Sequence, residues 1–166
     1  LGWKSQNAFA GGHAYLYICH FCTQVTMFAP GGKQTPGAVF GEAVSGITDD
    51  SVRMLYDEAR RTMATESYTA AVLSCRKLLM HISVAKGAKA GESFITYIEY
   101  LAEKNFIPPD AKEWVDHIRA KGNEANHQIV IMQRSDAEQL LAFCEMLLKI
   151  IFEFPSAMKK TVAPTS

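Results

Sequence analysis

From Asp49 to Phe154 the apolar residues return every third or fourth position, and this spacing constrains the chain more than any other feature. It predicts a bundle of about five helices. The first runs from about Asp49 to Ala64, with Val52, Leu55, Tyr56, Ala59 and Met63 on one side. The second runs from about Glu66 to Lys86, with Ala71, Leu78, Leu79 and Ile82 inward and Gly87 as its C-terminal cap. The third runs from about Glu92 to Lys104, with Phe94, Ile95, Ile98 and Leu101 inward. Pro108 and Pro109 break the chain and start a fourth, because proline is tolerated in a first turn. A fifth starts at Ser135, where Ser135-Asp-Ala-Glu138 has the form of a capping box. Leu140, Leu141, Phe143, Cys144, Leu147, Leu148, Ile151 and Phe152 make this helix apolar over a wide arc, which predicts burial on two sides, against the chain itself and against a second copy.

Ahead of the helices the pattern changes. His13–Ile18 and Thr23–Phe28 read as two short strands of a hairpin with Cys19-His-Phe-Cys22 at its tip, and Gly and Pro between residues 30 and 47 mark a loop. The expected organisation is a β-hairpin and loop over 1–47, a helical bundle over 48–155 and a small, polar, frayed tail over 156–166. The fold class is mainly α with a short N-terminal β-hairpin.

Composition bounds the partners. With 166 residues, 48% of them hydrophobic, the chain can bury a real core. Seventeen Lys and Arg balance seventeen Asp and Glu, which argues against a strongly cationic nucleic-acid binder, though not against a small basic site. There is no apolar run long enough to span a membrane and no basic-then-apolar signal peptide, so no membrane role is expected. The first residue is Leu rather than Met, so N-terminal sequence is expected to be missing or processed. Cys19, Cys22, Cys75 and Cys144 do not form a secreted disulfide pattern, which points to a reducing compartment, the cytoplasm. Cys19 and Cys22 are half of a zinc-ribbon pattern. Zinc takes four ligands, no second Cys-x-x-Cys is present, and His20 sits inside the knuckle, so a metal-free remnant is expected, with no cofactor.

The fourth helix carries the candidate site. At about 100° per residue, Ala111, Val115, Ile118, Gly122, Ala125 and Ile129 form one apolar stripe. A glycine inside a helix costs ~1 kcal/mol relative to alanine, which a close helix contact at Gly122 explains. The opposite face carries Asp116, Asn123 and His127, with Arg119 beside them; ordinary solvated surface is the alternative reading of such a face. Arg76, on a buried-looking helix, is expected to pair with Asp57 or Glu58. There is no phosphate-binding glycine loop and no nucleophile elbow.

The runs Val52-Arg-Met-Leu-Tyr-Asp-Glu-Ala-Arg60, Tyr68-Thr-Ala-Ala71 and Cys75-Arg-Lys-Leu-Leu79, then Ile118-Arg-Ala-Lys-Gly-Asn-Glu-Ala-Asn-His127, then Ser135-Asp-Ala-Glu138 and Phe152-Glu-Phe-Pro155, resemble in order and spacing an uncharacterised bacterial branch of the HEPN superfamily. That branch often occurs beside restriction-enzyme subunits and other phage-defence proteins. The resemblance covers about residues 46–155 and implies a helical bundle that commonly dimerises. In catalytic members an Arg and a His with four to six residues between them cut RNA without a metal. The His moves the proton of a ribose 2′-OH, and the Arg holds the charge that develops on the phosphate. His127 matches the His, and Asn123 matches the polar residue that follows the Arg. The Arg position itself is Gly122. Arg119 lies one turn earlier, about 12 Å along the helix from His127, and Lys121 has the spacing but not the planar fork. Two functions follow: a dimeric interaction module that binds protein or nucleic acid, or a metal-independent ribonuclease using His127, Asn123 and Arg119.

Overall fold

The computed structural model describes residues 2–4, 13–108, 116 and 131–162. A small antiparallel sheet comes first, with β1 at Gly2–Lys4, β2 at Tyr15–Ile18, β3 at Val25–Phe28 and β4 at Gln34–Thr35, in the order β1-β2-β3-β4. The expected hairpin is its centre: Tyr15 pairs with Phe28 and Ile18 with Val25. The two outer strands, of three and two residues, are too short to show alternation in the sequence.

The helices are α1 (Asp50–Ala64), α2 (Tyr68–Ala85), α3 (Phe94–Glu103), α4 (Arg134–Leu148) and α5 (Phe154–Val162). The expected fourth helix lies outside the described residues except for Asp116, which is helical and exposed. Asp49 caps α1, its Oδ1 accepting the N–H groups of Ser51 at 2.8 Å and Val52 at 3.3 Å. The first three helices end alike. After each, a residue in the left-handed region, Glu66, Gly87 or Asn105, turns the chain so that the next N–H reaches back to the last helical turn. These are the paired bonds of a Schellman motif, with Ser67 N bonded to Thr62 O, Ala88 N to Ser83 O and Phe106 N to Leu101 O. Gly87 holds the capping place expected of it.

Helix α2 lies at the centre and packs on α1, α3 and α4. Ala59, Ala71 and Ala137 are fully buried, and their small side chains let the backbones approach. The core is built from Val52, Tyr56 and Met63 of α1, Leu78, Leu79 and Ile82 of α2, Ile98 and Leu101 of α3, and Leu141, Phe143, Leu147 and Leu148 of α4. Tyr97 takes the inward place expected of Ile95; its hydroxyl accepts the Glu92 N–H at 3.1 Å, which lets a polar tip be buried. No residue of β2, β3 or β4 belongs to this core.

Two features of the last helices differ from expectation. Gln133, not Ser135, is the cap of α4: Asp136 Oδ2 accepts the Gln133 N–H at 3.0 Å, and Glu138 pairs with Arg134 at 2.7 Å instead of reaching back. The chain also stays helical past Pro155 to Val162, through the first part of the expected tail. A proline inside a helix clashes with the carbonyl four residues before it. Here a π-helical turn over Lys149–Glu153, with the Phe154 N–H bonded to Lys149 O, widens the backbone just ahead of Pro155 and absorbs the misfit. The wide apolar arc of α4 is satisfied within the chain, since Leu140, Leu141, Phe143, Cys144, Leu147 and Leu148 are all buried. No helix among the described residues is long and apolar enough to cross a membrane.

Candidate functional site

Arg119, Gly122, Asn123 and His127 lie outside the described residues. Their segment is bracketed by anchored positions. On one side Ile107 is buried in the core; on the other Met132 is buried and its N–H donates to Thr69 Oγ1 of α2 at 3.1 Å.

The Cys-x-x-Cys forms the tip between β2 and β3. Cys19 N donates to Gln24 O at 3.0 Å, and Thr23 N donates to Cys19 O at 2.9 Å. Thr23 closes the turn at φ 57°, unusual for a β-branched residue. Cys19 and Cys22 are both exposed, whereas Cys75 and Cys144 are buried in the core, 3.9 Å from Cys144 Sγ to Cys75 O. The backbone N–H groups of Cys22 and Phe21 point at the Cys19 thiol, and with the Cys22 thiol they hold it below its ordinary value. Burial pushes Cys144 the opposite way, far above the ordinary range, so it stays a neutral core residue. Among the described residues no group of three or more His, Cys, Asp and Glu is arranged to hold a metal ion.

Among the described residues a polar cluster gathers around Glu42, Glu145 and Lys149, none of which the sequence pattern marks as a site. Residues 40–45 lie as a strap across α1 and α4. Tyr56 Oη donates to Glu42 O at 2.9 Å; Arg60 donates through Nε to Phe40 O at 3.1 Å and through Nη2 to Gly41 O at 2.9 Å. From the other side Glu145 Oε2 accepts the Glu42 N–H at 3.0 Å, and Glu153 Oε2 accepts the Ser45 N–H at 2.7 Å. Lys149 Nζ joins Glu145 Oε1 at 2.6 Å to Glu42 Oε2 at 2.9 Å. Burial alone would raise the Glu145 carboxyl, but Lys149, the Glu42 N–H and Arg60 outweigh it and hold it below the ordinary range. Burial, and then the Glu145 charge, pushes the Tyr56 phenol well up, so it remains a donor. Each of these groups is committed to holding the strap, which makes the cluster structural. The Glu145–Lys149 pair, four residues apart in an otherwise apolar stretch, was the signal for it.

Arg76 does not pair with Asp57. That carboxylate is taken by Arg60 Nη1 at 3.1 Å, and the half-buried Arg76 guanidinium lies 4.2 Å from the centre of the Phe94 ring, with burial lowering its pKa. His81 bridges helices at the surface, its Nε2 3.3 Å from Asp49 Oδ2.

The model of one protein family, described as a domain of unknown function (DUF4145), matches residues 57–162, well over half of the chain. The match starts inside α1 and ends with the last residue of α5, and it leaves out the sheet and its cysteines. No curated protein and no solved structure matches the chain.

Proposed function

Because the chain belongs to the DUF4145 family, we propose that it is a HEPN-like helical interaction module of the cytoplasm. It works as a homodimer in a phage-defence setting and engages a protein or nucleic-acid partner through the face carrying Arg119, Asn123 and His127. The observation that carries this reading is Gly122, which stands where catalytic members have Arg while Asn123 and His127 are kept. A glycine has no group to hold phosphate charge, so the face retains donors for binding and lacks the one that cleavage most needs. Zero net charge supports a local contact over broad phosphate binding. A second copy has a surface to meet: Met146 and Ile150 are half-buried, and Phe154 and Met158 are 54% and 69% exposed, a stripe repeating every four residues along α4 and α5.

The second reading, a metal-independent ribonuclease, is favoured by the retention of both Asn123 and His127 on one face. There His127 would move the 2′-OH proton and Arg119 would contact the phosphate.

The face is tested by Arg119→Ala and His127→Ala. Both variants are expected to fold normally and to lose partner capture in cells. If each leaves every partner interaction and the cellular phenotype unchanged, the face is ordinary surface.

A further inference from the structure

We propose that the N-terminal sheet docks single-stranded nucleic acid, with bases stacked on Tyr17 and Phe21 and phosphates drawn by the positive charge of the same unit. These residues are other than Arg119, Asn123 and His127, and the inference does not rest on that face.

The first observation is an aromatic face. Side chains alternate along a strand, and Tyr15 pairs with Phe28 and Tyr17 with Thr26, so Tyr15, Tyr17 and Phe28 share one side of the hairpin. The Phe28 and Tyr17 rings meet edge to face, 5.5 Å between centres at 90°, which holds the Tyr17 ring in place while about half of it stays in water. Phe21 lies in the turn closed by the Thr23 N–H on the Cys19 carbonyl, and at 92% it is the most exposed large apolar side chain among the described residues. The helical core does not use these rings, since no residue of β2, β3 or β4 joins it. On β2 and β3 the opposite side carries Leu16, Ile18, Val25 and Met27, none of them a ring. Every base has a π-face, so exposed rings hold single strands without reading their sequence.

The second is charge. Every Asp and Glu of the chain lies from Glu42 onward, whereas Lys4, His13, His20 and Lys33 lie before it. The zero net charge of the whole is therefore a cationic N-terminal unit set against an acidic excess in the remainder. A phosphate backbone approaching the sheet meets no carboxylate belonging to that unit. Lys33 pairs with Glu66 of the α1–α2 turn at 2.9 Å, but both side chains are largely exposed, and such a pair is weak enough to exchange Glu66 for a phosphate. A lipid surface asks for more charge, because recognition of anionic headgroups takes clusters of about four to eight Lys and Arg.

The third is placement. The Ala29 N–H bonds to the Lys33 carbonyl at 2.8 Å, which sets Lys33 beside the Phe28 end of β3. Phe21, Tyr17 and Lys33 thus mark the tip, the middle and the base of one hairpin. Tyr15 and Tyr17 are two residues apart on one strand, about 7 Å, so the two rings do not stack on each other and each has room for its own base.

The test titrates the purified, reduced protein into a fluorescein-labelled oligothymidylate and follows anisotropy, beside Phe21→Ala, Tyr17→Ala, Tyr17→Phe and Arg119→Ala/His127→Ala. Binding is expected, with log affinity falling against log salt at a slope of about −1.4, two phosphates at about −0.7 each. Phe21→Ala and Tyr17→Ala should each weaken it by about 10-fold, while Tyr17→Phe and Arg119→Ala/His127→Ala should bind as the parent does. Phe21 packs on no core, so loss in that variant is not misfolding. The duplex with oligoadenylate should bind more weakly, since its paired bases are not free to stack. The proposal is overturned if oligothymidylate does not bind, whether or not the sheet captures anionic vesicles or a protein. It is overturned equally if Phe21→Ala and Tyr17→Ala bind as tightly as the parent, or if the duplex binds as tightly as the single strand. Binding lost only in Arg119→Ala/His127→Ala would assign the nucleic acid to that face and not to the sheet.

Discussion

Glu145 of α4 accepts the backbone N–H of Glu42 at 3.0 Å on one carboxylate oxygen and meets Lys149 at 2.6 Å on the other. A residue of the last third of the chain thereby fixes the strap that precedes the first helix. The strap joins the sheet to the bundle, so this contact decides how the N-terminal unit leaves the helices.

Glu145→Gln is expected to cost about 1.5–3 kcal/mol, the usual range for a hydrogen bond to a charged group. The pH dependence has a definite sign. The Glu145 carboxyl sits below its ordinary value in the folded chain, so its contribution is present above the unfolded glutamate pKa, about 4.3, and is lost as pH falls through the lower folded value. Urea unfolding at pH 6 and pH 3 should show a smaller acid loss in the variant. An identical loss in both proteins would contradict the role given to this carboxylate.

Gly46→Ala should destabilise by about 2 kcal/mol or more. Gly46 has φ +76°, and an added Cβ would lie 2.8 Å from the Phe152 carbonyl oxygen and 2.8 Å from Ser156 Cβ. Gly91→Ala is the control, because φ there is +87° but nothing among the described residues lies within 4 Å of the added carbon, leaving the backbone penalty alone, about 1 kcal/mol. Equal thermal shifts for the two variants would show that the strap does not press on the π-helical turn.

The dimer is tested by Phe154→Ser with Met158→Ser. Both side chains are exposed in the single chain, so the pair should leave its stability within about 0.5 kcal/mol. Light scattering at micromolar concentration should report a dimer for the parent and a monomer for the variant. A parent that is monomeric, or a variant that remains dimeric, would contradict the assigned surface.

The bundle was readable in the sequence because helix burial follows a 3.6-residue repeat. Val52, Tyr56, Ala59 and Met63, then Leu78, Leu79 and Ile82, then Leu140, Leu141, Phe143, Cys144, Leu147 and Leu148, are buried where that repeat puts them. What broke the reading was local. A π-turn shifts the register and lets the helix run past Pro155, which periodicity treats as a stop. Gln133 caps α4 through Asp136, a pair outside the Ser-first pattern. The strap was unreadable because its bonds run from backbone groups at 40–45 to side chains that no local pattern pairs with them, Tyr56 and Arg60 of α1 and, more than a hundred residues away, Glu145 and Glu153. Arg76 lies over the Phe94 ring while Arg60 holds the Asp57 carboxylate, a choice between two arginines that spacing along the sequence does not show. Of the candidate face, Arg119, Asn123 and His127 were selected by spacing and resemblance alone, and they lie outside the described residues.

The central claim is that this face binds and does not cut. The most direct measurement is incubation of the purified protein with a mixed-sequence single-stranded RNA, with a metal chelator present, across salt and pH, beside His127→Ala. The account predicts that the RNA is recovered intact with both proteins. Chelator-resistant cleavage by the wild type that disappears in His127→Ala would contradict it and establish the ribonuclease reading instead.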